Sequence, residues 1–191
     1  MDSVIKDNFN IIAFEALPEH LPLSSNIDFL LLLIGLKPSL RIGPISLVKC
    51  KEVCDWGDAF GFYTKIDNEG YVFLSIIQNV DLLMSIDQSL ENHCVKFGLL
   101  LGYPECCSKS IGNIGEEHID EYEKNIVFNW SFEGKYHLIN PKNHFEGGAL
   151  ISHIPCSPTC EYSYKIAKSC FRIIKSHRGS PSFKKWAYLF Q

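Results

Sequence analysis

Two short stretches of the 191-residue chain gather the residues best able to hold a metal or act as nucleophiles. The first runs Leu100-Leu101-Gly102-Tyr103-Pro104-Glu105-Cys106-Cys107-Ser108. The second runs His153-Ile154-Pro155-Cys156-Ser157-Pro158-Thr159-Cys160-Glu161-Tyr162-Ser163. Each reads as an apolar segment, a proline-marked turn and a helix start, with two cysteines at the turn. The thiolate, not the thiol, is both metal ligand and nucleophile, and an ordinary cysteine titrates only near about 8.5. A helix N-terminus, with its unsatisfied N–H groups and partial positive charge, favours the anionic sulfur. With Pro104 as first helical residue, Cys106 and Cys107 fall in a first turn. With Ser157 as cap and Pro158 as first residue, Cys160 does the same and Cys156 lies just ahead.

Four thiolates suit a zinc ion or an iron–sulfur cluster, so Cys106, Cys107, Cys156 and Cys160 are the expected metal ligands, with the cofactor undecided between the two. The Cys156/Cys160 spacing fits a zinc knuckle. The adjacent Cys106 and Cys107 do not, because neighbouring residues have difficulty aiming both sulfurs at one small ion. A larger cluster, or Cys107 acting catalytically while its neighbour ligates, accommodates the adjacency better. His93 and His153 are each candidates for a fourth ligand or for a general acid/base, since imidazole titrates near neutrality. Ser108, Ser157 and Ser163 are expected as caps and as donors to the sulfurs. Glu105 and Glu161 sit at helix starts, where carboxylates are stabilised anyway. Cys50 and Cys54, four apart on one helix face, could form a second pair, but core packing is the reading favoured here.

Elements must then place these groups. Ser25 or Asn26 caps a buried helix to Ile34, stopped by Gly35. Residues 11–14 form a short strand or helix, and 40–48 is ambiguous around Gly43-Pro44. Residues 61–66 and 71–77 form a hairpin about Asp67-Asn68-Glu69-Gly70. A helix is expected from Asp87 to Leu101, with His93 near its middle, and an exposed amphipathic helix from Glu116 to Phe128. Ala149–Ile154 reads as a buried strand and 158–177 as a long helix, followed by an aromatic tail that packs back. The fold class is α+β: a single domain over 1–191, mostly helical with a small antiparallel hairpin or sheet, with 1–24 and 180–191 peripheral.

Composition narrows the function. A formal charge of −4 argues against a phosphate backbone as partner. The longest apolar run, Phe29 to Leu36, is far short of the roughly 20 residues that span a bilayer. No export signal is visible, so the expected location is cytoplasmic, where clustered thiols point to metal or redox chemistry rather than disulfides. A nucleotide-binding glycine loop, a serine-hydrolase elbow and a His-Glu-x-x-His helix are all missing.

The run from His93 to Cys107, Ile34-Gly35-Leu36-Lys37-Pro38 and the His-x-Pro-Cys-Ser-x-x-Cys-x-x-Ser pattern at 153–163 together resemble a prokaryotic family known as domain-of-unknown-function family 483. The resemblance covers about residues 27 to 175. It implies a shared fold and site and names no reaction. Three readings stay open: a metal- or iron–sulfur-dependent enzyme acting on a small molecule, a zinc-stapled module that binds a protein partner or a second copy, and a metal-free dithiol redox or transfer protein.

Overall fold

The computed structural model of the protein describes residues 10–89, 93–144 and 148–190. It is α+β and mostly helical. The chain runs α1 (Ile11–Glu15), α2 (Ser25–Leu33), β1 (Ser39–Ile42), α3 (Leu47–Ala59), β2 (Tyr63–Ile66), β3 (Val72–Ser75), α4 (Val80–Asp87), α5 (Cys94–Leu100), α6 (Glu105–Ile114), α7 (Ile119–Asn125) and α8 (Glu161–Ser176). Short 3-10 turns fill the stretch after α7, and a longer 3-10 segment, Pro181–Phe190, follows α8.

The hairpin forms as its residues dictate: Asp67 turns the chain by accepting the backbone N–H groups of Glu69 and Tyr71 at 2.9 and 2.8 Å. The ambiguous stretch after Pro38 supplies a third strand. The sheet order is β1-β3-β2, antiparallel throughout, with Leu74 opposite both Leu40 and Thr64. Alternate side chains of the central strand leave opposite faces. Val72 and Leu74 join the main core with α2, α3 and α8, while Phe73 packs with Val80, Leu83 and Leu101 on the other side. Cys50 is fully buried in the main core and Cys54 packs against it, so this pair is core packing. The two segments expected at the periphery contribute to that core: Phe14 stacks on Phe183 at 5.1 Å, and the Trp186 indole donates to the Ala149 carbonyl at 3.2 Å.

Several boundaries differ from expectation; the helix expected over Glu116–Phe128 is α7, Ile119–Asn125, between two 3-10 turns, and α2 has Ser24 as its cap. Asp87 closes α4 and pairs with Arg41 of β1 instead of capping a helix to Leu101, so His93 is the residue just before α5, not a mid-helix group. Leu90 and its neighbours 91 and 92 lie outside the described residues. Pro104 is the cap of α6, with extended backbone, and Glu105 is the first helical residue. Ser157-Pro158-Thr159 makes a turn whose Ser157 carbonyl accepts the Cys160 N–H at 3.2 Å, and α8 begins only at Glu161 with Cys160 as its cap. Ala149–Ile151 is buried as expected, but 149–154 is irregular and not a strand.

What positions the first cysteine pair is the tight α5–α6 turn. Gly102 sits at φ 81°, and a side chain there would meet the Pro38 ring at 2.5 Å. The two helices then close on each other through reciprocal notches. A Cβ at Gly98 would lie 2.7 Å from Ser108 Oγ, and one at Gly112 would lie 2.3 Å from Val95. Gly98→Ala therefore forces α5 off α6, and overpacking of this kind costs about 1–3 kcal/mol. For a chain of this size that is a fall of roughly 2–12 °C in melting temperature. An unchanged melting curve would mean that the helices do not need this closeness.

Candidate metal centre and the adjoining cavity

The turn at Pro104 and the turn at Ser157–Thr159 bring all four expected cysteines together. One Sγ from each of Cys106, Cys107, Cys156 and Cys160 lies within 4.8 Å of the others. Cys106 is 3.8 Å from both Cys107 and Cys160, and Cys107 is 3.7 Å from Cys160. Adjacency is thus no obstacle to convergence. Successive helical residues point about 100° apart, yet the one rotatable bond between each backbone and its sulfur brings both thiols to a common point. Cys107 and Cys160 are buried, and Cys106 and Cys156 are half-buried. Cysteine sulfurs gathered this closely at two helix starts can hold a metal ion.

The sulfurs are not equivalent. Burial pushes the Cys107 thiol well up, against the partial relief of its contact with the Ser163 hydroxyl. Burial and the hydrogen bonds it makes to Cys160 and Cys106 push Cys156 up to about 12. Burial also works against the Cys160 thiolate, but the Ser163 hydroxyl and N–H, with the thiols of Cys156 and Cys107, outweigh it and bring Cys160 down to about 7. Cys160 is the first of these three to ionise.

Ser163 fills its expected role as a donor. Its hydroxyl lies 3.3 Å from Cys160 Sγ and 3.4 Å from Cys107 Sγ, and 2.9 Å from His153 Nε2. Burial, with the nearby Lys37 charge adding to it, drops His153 to about 3, so its ring is neutral. With the hydroxyl proton given to Cys160, the Ser163 oxygen accepts Nε2–H of His153, and the lone pair is left on Nδ1. His153 is therefore one hydroxyl away from the sulfurs and is not among the grouped ligand atoms.

Against the centre lies a cavity of about 290 Å³, walled by Cys107, Ser108 and Ile111 of α6, His153, Phe97 of α5 and Arg41 of β1. His93 lines this cavity and stands apart from the cysteine cluster. Glu105 and Glu161 turn away from the site. Glu105 pairs with Lys109 at 2.6 Å, and Glu161 accepts from Lys135 at 2.7 Å and from the Tyr136 hydroxyl.

A charged group that sequence reasoning did not single out organises the cavity wall. Lys37, 3% exposed, pairs with Asp28, donates to the Ser152 hydroxyl at 3.1 Å and lies over the Tyr103 ring at 4.7 Å. Burial alone would lower its pKa, but Asp28 and Tyr103 more than offset this and hold it above the ordinary lysine value. The available signal was Asp28 itself, a lone acid in the otherwise apolar helix 27–33, which demands a buried cation. Tyr103 in turn packs its ring 5.2 Å from that of His153. Arg41 pairs with Asp87 and lies between the rings of Tyr71 and Phe97 at 4.9 and 5.2 Å.

Comparison with known proteins gives no match: no family model, no curated protein and no solved structure matches this chain. Among the described residues, no helix is long and apolar enough to cross a membrane.

Proposed function

We propose that the protein is a zinc-stapled binding protein, in which a closed tetrathiolate centre locks the start of α6 to the start of α8. The observation that carries this is the spacing of the sulfurs. A tetrahedral zinc ion with bonds of about 2.3 Å to sulfur has sulfur–sulfur edges of about 3.8 Å. The three separations among Cys106, Cys107 and Cys160 are 3.7–3.8 Å, and all four sulfurs, Cys156 included, lie within 4.8 Å of one another. Cubane iron–sulfur clusters spread their cysteine sulfurs over different irons, which needs a wider frame than this. Four protein sulfurs also leave the ion no open position, the arrangement of a structural site. Free thiols at every cysteine suit a reducing, cytosolic setting. The motifs at 93–107 and 153–163 support kinship with the uncharacterised family 483, and that kinship leaves the reaction open.

Protein purified anaerobically should be colourless and carry one zinc per chain, and a chelator should remove the ion and unfold it. Iron with acid-labile sulfide in stoichiometric amount would overturn the zinc assignment. Proton competition gives an independent test. The ion must displace protons from Cys107 and Cys156 at neutral pH, and from Cys160 as well below about 7. The logarithm of apparent zinc affinity should then rise by at least two per pH unit above pH 7 and by at least three below it, or about a hundredfold and a thousandfold. A slope near one in a zinc-competition titration would contradict the four-thiolate set.

A second reading rests on Cys107, which is at once a sulfur of the centre and part of the cavity wall beside His153. A metal-bound thiolate there could act on a small molecule, which keeps the metal-dependent enzyme open. Turnover of a substrate lost on Cys107→Ser with the ion retained would favour it.

A further inference from the structure

The cavity beside the sulfur centre is bordered by a hydroxyl that the fold leaves without a partner and by a histidine with one of its two ring nitrogens engaged. Ser108, 3% exposed, has a hydroxyl that makes no hydrogen bond, although a buried hydroxyl ordinarily finds one. Its residue lines the cavity, and Gly98 is cut back to a notch that leaves its Oγ room. His153 also lines the cavity. Its Nε2 is taken up by Ser163, while its Nδ1 lone pair engages no described residue. Ser108, its hydroxyl tucked between α5 and α6, and His153 thus border one concavity. The rest of the wall is mixed: Phe97, Leu101, Ile111 and Ile154 are apolar or aromatic, while Asp28, Arg41, Asp87, Ser89, His93 and Ser152 bring polar groups to it.

The charges around the cavity are already spoken for. Asp28 pairs with Lys37 and Asp87 with Arg41. A charged ligand would have to compete with these pairs for a counter-ion and lose its hydration, which is costly in such a setting. The volume, about 290 Å³, lies at the small end of ligand pockets, which span about 300–1,000 Å³. Convergent polar groups in a partly apolar concavity of this kind are the ordinary make-up of a small-molecule site.

We infer that this cavity is a binding site for a neutral molecule about the size of one substituted ring, which donates a hydrogen bond to His153 Nδ1 and pairs with the Ser108 hydroxyl. The inference goes beyond the zinc reading and holds whichever ion the sulfurs carry. Ser108 is then kept at a cost to the free protein, because an apolar residue would be more stable there and would bind less.

Benzamide, a single ring with an N–H donor beside a carbonyl, is the probe, with benzoate and benzylamine as charged counterparts of similar size. In amide NMR titrations of the full, metal-loaded chain, benzamide should shift residues 98, 108 and 153 saturably. It should bind at least tenfold tighter than either charged probe. Ser108→Ala should raise the melting temperature of the free protein and weaken benzamide about tenfold, the loss of one hydrogen bond. Ile111→Trp, which fills the cavity, should abolish the saturable shifts. Failure of benzamide to bind, charged probes binding as well as benzamide, or Ser108→Ala lowering stability without weakening binding would each overturn the inference. Metal content measured on every sample separates that outcome from failure of the zinc reading, since Ser108 and Ile111 are not ligands.

Discussion

Replacing Cys107 by serine in the metal-loaded protein should release the ion and lower the melting temperature by roughly 10–20 °C. The size follows from what the ion joins. Structural zinc in small domains supplies about 10–16 kcal/mol of apparent folding free energy, and three sulfurs cannot keep all of it. A loss of about 5 kcal/mol, spread over a chain of this size at about 2–4 °C per kcal/mol, gives that fall. Cys106→Ser, Cys156→Ser and Cys160→Ser should behave alike, because the four act as one unit. Cys170 is the internal control. It is fully buried, burial alone holds its thiol up, and among the described residues it belongs to no group that could hold a metal. Cys170→Ala should cost only what a small core truncation costs, about 0.5–3 kcal/mol, and should leave the ion in place. Differential scanning calorimetry with metal quantification reads both. Equal, small shifts for Cys107 and Cys170 would remove the case for a metal staple.

Lys37→Ala is the second large effect. It strips the partner from Asp28, whose side chain is 17% exposed. Breaking a buried pair by removing one member costs about 3–5 kcal/mol, because the other charge is stranded. The melting temperature should fall by roughly 6–20 °C. Since burial already opposes the Lys37 charge, neutralising both partners should be far milder: the double variant Asp28→Asn, Lys37→Met should regain most of the loss. The sign of the pH dependence also follows. The Lys37 pKa is raised on folding, so its contribution is complete below the unfolded lysine value of about 10.4 and disappears only as pH climbs through the folded one. The difference between wild type and Lys37→Ala should therefore stay flat from about pH 6 to 9. A difference that changes sign or vanishes in that range would place the energy somewhere else. The pair also matters for the cavity, because Lys37 holds Ser152 and lies over Tyr103, so the variant should loosen the wall that carries His153.

The cysteine centre was legible in the sequence because its signals are local. A glycine stop, a proline and two cysteines within six residues announce a turn that aims sulfurs, and at 155–160 two prolines and two cysteines do the same without a glycine. Even so, the turn at Ser157–Thr159 moved the α8 start to Glu161 and made Cys160 a cap, a shift that proline position alone does not determine. The hairpin was equally readable, its turn residues flanked by β-branched and aromatic runs. β1 was not, since four residues beside Gly43-Pro44 carry too little pattern; it exists because β3 offers it an edge. The cavity was invisible for a different reason. Asp28, Lys37, Arg41, Asp87, Tyr103 and Ser108 are single polar residues scattered over α2, β1, α4 and α6 and the turns beside them. No spacing rule links them until the chain has folded. His93 and His153 were picked for their chemistry, and the fold brings both to the cavity, with His153 alone tied to the sulfurs through Ser163.

The two cysteine pairs stand at either end of the most polar part of the chain, which contains α7 and the 3-10 turns after it. With an ion between them, that whole span becomes a closed ring hung from one clasp. Tying off a loop of about 50 residues removes roughly 4 kcal/mol worth of freedom from the unfolded chain, and doubling the loop would change this by only about 0.6 kcal/mol. The clasp is consequently almost indifferent to the length of the ring. Residues can be inserted at its exposed turns while the clasp keeps its grip, whereas Ser108, Ile111, Ile119, Ser152, His153 and Ile154 lie within the same ring and wall the cavity, so freedom to vary belongs to the turns and not to those positions.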